Sequence, residues 1–313
     1  MRRRCGGPRA GGVPVCHAVL VHVPSDTSDT SNISDISDIS GTRRPLDAAR
    51  LAALLAASGL GVTVRSEMDS TNAALARVAR GTVTDATLVE ASRSWRGADA
   101  PRGLVLAAER QSAGRGRLDR TWESRPGAGI TVSLLVRTAV EPARLGWLPM
   151  VVGTSLVSTV RTRAEVPAVL KWPNDVLVDG AKLAGILVEL VPTPAVPPSV
   201  VIGFGLNVHA RRDELPPRST SLHLCGAQPA RLDRTELLGA LLAELADALT
   251  RWELDPGAAR ADYLRVCSTL GRQVRVELPG GQARIGTATD IDPEGRLVVD
   301  GEAYSAADVI HLR

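Results

Sequence analysis

Three arginines and two glycines share the nine residues "GRGRLDRTW", from Gly114 to Trp122. A guanidinium is a fixed positive fork that binds carboxylate or phosphate oxygens in pairs. Gly114 and Gly116 leave backbone N–H groups free and argue against regular structure, so Arg115, Arg117 and Arg120 can converge on an anion. Trp122 then offers a nucleobase a flat face for stacking. A solvated loop or a non-specific RNA contact also accounts for the arginines, but neither accounts for the tryptophan.

"KWPND", residues 171 to 175, adds a second kind of chemistry. Pro173 sets a turn, Trp172 needs a partly buried place, and Asn174 and Asp175 carry hard oxygens of the kind that suits Mg²⁺. The same Asn-Asp pair fits a plain turn between strands. Lys182 stands among Ala, Leu and Gly, where an ammonium needs an anionic partner unless it reaches solvent at a sheet edge. "STN", Ser70 to Asn72, opens a helix. Ser70 or Asp69 fits there as an N-cap, and a helix N-terminus with spare hydroxyls and amides also holds small polar ligands. Gly203 and Gly205 in "GFGLN" interrupt a strand and mark a bulge or a close approach.

Strands and helices alternate around these residues. "PLDAARLAALLAASG" has helical spacing and a stop at Gly59. "GITVSLLVR" puts Ile130, Val132, Leu134 and Val136 on one strand face, with Thr131 and Ser133 on the other. A helix follows with Pro142 near its start, then a hairpin around Asp179-Gly180, the strand "SVVIGFGLNV" and the amphipathic helix "ELLGALLAELADALTRW". Beyond Leu270, short strands separated by "PGG", "DPEG" and "DG" predict a small all-β unit. Residues 1 to 44 include the repeat "SDTSDTSNISDISDIS", which has too little apolar surface to fold and predicts a disordered tail.

The net charge of +3 over 313 residues excludes a protein that coats polyanions, so anion binding must be local. The four cysteines form no CxxC pair and the five histidines no HExxH pattern, which argues against structural zinc or a disulfide framework and fits a cytoplasmic location. No apolar run is long enough to span a membrane.

Read together, Asp69-Ser-Thr-Asn, "ERQSAGRGR" from Glu109, "KWPND", "KLAGIL" from Lys182 and "GFGLN" resemble the biotin protein ligase family over roughly residues 46 to 313. The resemblance implies an α+β fold: a mixed-sheet catalytic core with helices packed on one side over residues 45–268, and a small C-terminal SH3-like β-barrel over 269–313. It implies an ATP-dependent enzyme that forms biotinyl-5'-AMP with Mg²⁺ and passes the biotinyl group to a lysine of a biotin carboxyl carrier protein. Lys182, Arg117 and Arg115 would be catalytic. Ser70, Thr71, Asn72, Gln111, Gly114, Gly116 and Gly185 would complete the biotin pocket. Arg120, Trp122, Lys171, Asn174, Asn207 and Arg313 would serve the nucleotide, and Asn174 with Asp175 the metal. The family allows a weak homodimer.

Leu118-Asp119 departs from the family pattern where a further basic residue and a glycine are usual. "SRSWRGADAPRG" and "PTPAVPPS" read as surface excursions. Too few residues precede the core for a helix-turn-helix, so DNA binding is not expected. Lipoate ligases share the chemistry, but "KWPND" with "KLAGIL" favours biotin.

Overall fold

The computed structural model describes residues 43–98, 100–117, 120–193, 197–278, 282–305 and 308–312. The disorder expected for the tail, the Leu118-Asp119 departure and Arg313 therefore lie outside the described residues, apart from Arg43 and Arg44. Those two are bound into the fold. Arg43 pairs with Glu214, and the Arg44 carbonyl accepts from Arg234 at 2.5 Å.

Seven strands form the large sheet: β1 (Leu60–Met68), β2 (Gly103–Gln111), β3 (Gly129–Arg137), β4 (Val169–Lys171), β5 (Asp175–Val178), β6 (Ala181–Val191) and β7 (Ser199–Asn207). Their order is β1-β2-β3-β7-β6-β5-β4, with β1 and β2 parallel and every other pair antiparallel. The hairpin expected at Asp179-Gly180 joins β5 to β6, with φ of 48° and 77° at its two central residues.

Helices cover both faces of this sheet, which corrects the one-sided arrangement expected from the sequence. On one face, α1 (Ala48–Leu54) contributes Leu51 to the core, while α2 (Thr71–Arg80) and α3 (Ala86–Arg96) pack on the other. α4 (Leu148–Thr159), α5 (Arg234–Leu254) and α6 (Pro256–Val266) join the face of α1. The reason is visible in β2: Val105 and Ala107 join one core, Leu104 and Leu106 the other, so the strand is apolar on both faces. The expected surface excursion "SRSWRGADAPRG" begins inside α3 instead. Trp95 is 1% exposed there, with the Arg137 guanidinium 4.3 Å above its ring. Pro142 opens a 3₁₀ turn (Pro142–Trp147) ahead of α4 rather than α4 itself.

The C-terminal unit is a five-stranded antiparallel sheet of β8 (Gln273–Glu277), β9 (Ala283–Ile291), β10 (Leu297–Val299), β11 (Glu302–Tyr304) and β12 (Asp308–His311), ordered β11-β10-β9-β8-β12. The edge strands β11 and β12 do not pair among the described residues, so the closure of an SH3-like barrel is not made. "DPEG" is more than a turn. Trp147 and Trp172 of the large domain donate their indole N–H groups to the Pro293 and Gly295 carbonyls at 2.9 and 3.1 Å, locking the two units together. No helix among the described residues is long and apolar enough to cross a membrane.

Candidate active site

One cavity lies where α2, the arginine loop, β4 to β7 and the C-terminal sheet meet. At one end, Ser70 caps α2 and accepts from the Ala73 N–H at 3.4 Å, which turns Thr71 and Asn72 into the cavity. Gln111 Oε1 is fixed as an acceptor by the Thr71 N–H at 2.8 Å and lies 3.0 Å from Thr71 Oγ1. Thr71 Oγ1 is 2.7 Å from Ser133 Oγ, which is 2.5 Å from Asn72 Oδ1. This row begins and ends on amide oxygens and contains two hydroxyls, so its three O···O contacts share only two protons. The row is one proton short, and its Gln111, Thr71 and Asn72 line that end of the cavity while Ser133 is buried behind them.

The glycines of "GFGLN" make room for two other side chains. A Cβ on Gly203 would stand 2.0 Å from Asn72 Oδ1, and one on Gly205 would stand 2.1 Å from the Trp122 ring. Gly185 backs the same ring, with Lys182 Nζ 3.1 Å and Trp122 3.2 Å from where its Cβ would be. The Trp122 indole N–H is buried and has no acceptor among the described residues.

The arginine loop is more regular than its glycines suggested. Trp122 N–H donates to the Gly114 carbonyl at 3.0 Å, and Arg115 bridges Thr121 in antiparallel fashion. Gly114 permits this crossing, since a Cβ there would meet the Trp122 carbonyl oxygen at 2.1 Å. Its three arginines are tethered by three different elements. Arg115 pairs with Glu189 of β6 at 3.1 Å, Arg117 donates to Asn174 Oδ1 at 3.1 Å, and Arg120 pairs with Asp308 of β12.

Lys182 Nζ sits 2.7 Å from Asp175 Oδ1 and 5.9 Å from the Trp122 ring centroid. Burial disfavours the charged forms of Arg117 and Lys171 and lowers both pKa values, against the opposing pull of Asp175 and Asp308. A bound anion would relieve that cost, so this end of the cavity suits phosphates. Of the two oxygens expected to hold a metal, Asn174 is already used on both amide atoms: Oδ1 by Arg117 and Nδ2 by the Ile186 carbonyl at 2.9 Å. Asp175 already pairs with Lys182 through Oδ1, so the two residues offer little beyond one partly engaged carboxylate, and an Mg²⁺ ion here would have to be held chiefly by nucleotide phosphates.

The cavity thus gathers Ser70, Thr71, Asn72, Gln111, Arg115, Gly116, Arg117, Arg120, Trp122, Lys171, Asn174, Asp175, Lys182 and Gly185 from the residues singled out in sequence. Gly114 stands behind the wall. Asn207 does not line it, because its Nδ2 donates to the Thr220 carbonyl at 2.9 Å and ties β7 to the following segment. Sequence reasoning missed Glu189, Gly203's partnership with Asn72, and the carboxylates Glu277 and Asp308 from the C-terminal sheet. A carboxylate inside the apolar run "GILVELV" was the available signal for Glu189; nothing local marks Asp308.

The chain is similar to known proteins over most of its length. A family described as "Biotin/lipoate A/B protein ligase family" matches residues 80–207, and "Biotin protein ligase C terminal domain" matches 269–312. The chain is 40% identical to the biotin–[acetyl-CoA-carboxylase] ligase of Mycobacterium tuberculosis, over 87% of this chain and 97% of that one. It is 30% identical to the ligase of the same name from Paracoccus denitrificans, over 70% of this chain and 92% of the relative. The solved biotin protein ligase of Aquifex aeolicus in complex with biotin and ATP superposes with a TM-score of 0.63 at 25% identity, covering 81% of this chain and 99% of that one.

Proposed function

The chain belongs to the biotin protein ligase family, and from that premise we propose that it activates biotin with ATP as biotinyl-5'-AMP and passes the biotinyl group to a lysine of a biotin carboxyl carrier protein. The observation that carries this reading is the division of one cavity into a donor-hungry end and a cationic end. The ureido ring of biotin brings two N–H donors to the row of Gln111, Thr71, Ser133 and Asn72. The dithiolane of lipoate brings none, so the same row leaves a lipoyl head group without a partner.

At the other end, a biotin carboxylate oxygen attacks the α-phosphorus as the bond to pyrophosphate breaks. Two unit charges about 4 Å apart repel by roughly 1 to 4 kcal/mol at surface-like dielectric values. Lys182, Arg115 and Arg117 offset this repulsion and the charge that builds on the phosphoryl oxygens. Magnesium entering with the nucleotide would add further neutralisation, and the Asp175 carboxylate, now paired with Lys182, would be the side chain to hold it. The arginine loop exchanges its present partners Glu189, Asn174 and Asp308 for ligand oxygens and covers the mixed anhydride until the carrier arrives. The carrier amine then attacks the acyl carbon, AMP leaves with the bonding pair, and the amine loses its proton. Trp122 offers the adenine a face.

Incubation with biotin, ATP, Mg²⁺ and an isolated carrier domain, followed by intact-mass measurement, should show one added biotinyl group on one lysine. An unmodified carrier beside accumulating adenylate would remove the transfer step from this reading.

A further inference from the structure

We propose that Glu189 sets the head-group preference of the cavity by holding the Asn72 amide in one of its two orientations. The inference rests on biotin being the acid that is bound. Glu189 Oε2 accepts from Asn72 Nδ2 at 2.8 Å, and its Oε1 pairs with Arg115 at 3.1 Å. Asn72 Nδ2 also donates to the Leu187 carbonyl at 3.3 Å. Both of these partners are acceptors only, so the amide oxygen must be the atom that faces Ser133. This orientation is what leaves the row of oxygens one proton short.

Turned over, the Asn72 amide would offer its own N–H to Ser133. Ser133 could then donate to Thr71 and Thr71 to Gln111, and the row would be complete without a ligand. Glu189 opposes that turn, because it would press the amide oxygen against a carboxylate. The glycine at 203 keeps the space beside Oδ1 clear. The demand for a ligand N–H therefore originates in Glu189, which stands behind the head-group residues and acts through Asn72 as a positioning residue.

Equilibrium binding of biotin and of lipoate to the wild-type chain, Glu189→Leu and Glu189→Gln tests this. Leucine offers Nδ2 no acceptor, and glutamine has a single oxygen, which Arg115 claims, so its NH2 turns toward Asn72 and favours the turned-over amide. Both variants should weaken biotin by about tenfold or more while leaving lipoate unchanged. Unchanged biotin affinity in Glu189→Gln, which keeps the size and shape of the side chain, or equal losses for biotin and lipoate, would overturn the proposal. A readout that needs no variant is the set of NOEs from the Asn72 amide protons: contacts to Glu189 protons are expected, and contacts to Ser133 Hβ alone would overturn it. A wild-type chain that binds no biotin would instead remove the functional reading on which the inference rests.

Discussion

The Trp172 indole N–H of the large domain donates to the Gly295 carbonyl of the C-terminal sheet at 3.1 Å, while the Trp172 backbone N–H donates to Thr269 Oγ1 at 2.9 Å. The segment that carries Lys171 and Asn174 into the cavity is therefore gripped from outside its own domain. Gly295 has φ of 84°, and a Cβ there would stand 2.7 Å from Met150 Cε and 3.0 Å from the Gly146 carbonyl carbon. Gly295→Ala should cost about 1 to 3 kcal/mol of stability. Thermal unfolding reads this directly, and ATP affinity should fall with it; an unchanged melting temperature would contradict the docking role.

Gly205 is required by Trp122. Gly205→Ala places a methyl 2.1 Å from the present ring position, so the indole must leave its bed between Gly185 and Gly205. The protein should stay folded, while adenylate formation falls by about tenfold or more and the Trp122 fluorescence environment changes. Near-normal single-turnover rates would show that the ring position is irrelevant to the reaction.

Lys182 and Arg117 both face the cavity, where the proposed adenylation would draw on their charge. Lys182→Ala and Arg117→Ala should each lower the rate of adenylate formation by about 10²- to 10³-fold with little change in melting temperature. Rapid-quench measurement of the first turnover separates this loss from carrier binding.

Acid lability has a predictable order. Burial, with Arg234 and Arg43 close by, lowers the pKa of His209 from 6.5 to about 4, and burial with Lys171 and Arg272 does the same for His311. Between pH 6.5 and 4 the unfolded chain takes up protons that the folded chain refuses, so stability falls as pH falls through that window. Glu214, lowered from 4.5 to about 2 chiefly by its hydrogen bond from Arg43, adds a second loss as pH falls from 4.5 toward 2. Denaturant unfolding at stepped pH should show both phases, and His209→Asn should shrink the first while leaving the share that His311 carries.

How legible the molecule was in sequence depended on whether a signal was local. Ser70 at the helix start, the Asp179-Gly180 hairpin and the alternation in "GITVSLLVR" follow from neighbours in the chain, and the structure shows each of them. Fourteen of the residues singled out for the site line one cavity because the motif spacing carried them. The second layer of helices was hidden, because β2 is apolar on both faces and gives no alternation to read. The Arg120–Asp308 pair spans 188 residues of chain, and no pattern near either residue announces it. Gly203 and Gly205 were legible as glycines that admit something, but Asn72 and Trp122 as the things admitted required coordinates.

On the proposed function, the donor-short row of Gln111, Thr71, Ser133 and Asn72 should select biotin over lipoate for activation at the cationic end of the same cavity. Pyrophosphate–ATP exchange by the purified protein with Mg²⁺, supplied with either biotin or lipoate as the acid, tests it most directly. Exchange driven by biotin and not by lipoate is expected. Exchange driven by lipoate, alone or together with biotin, or by neither acid would contradict selection of biotin by this row.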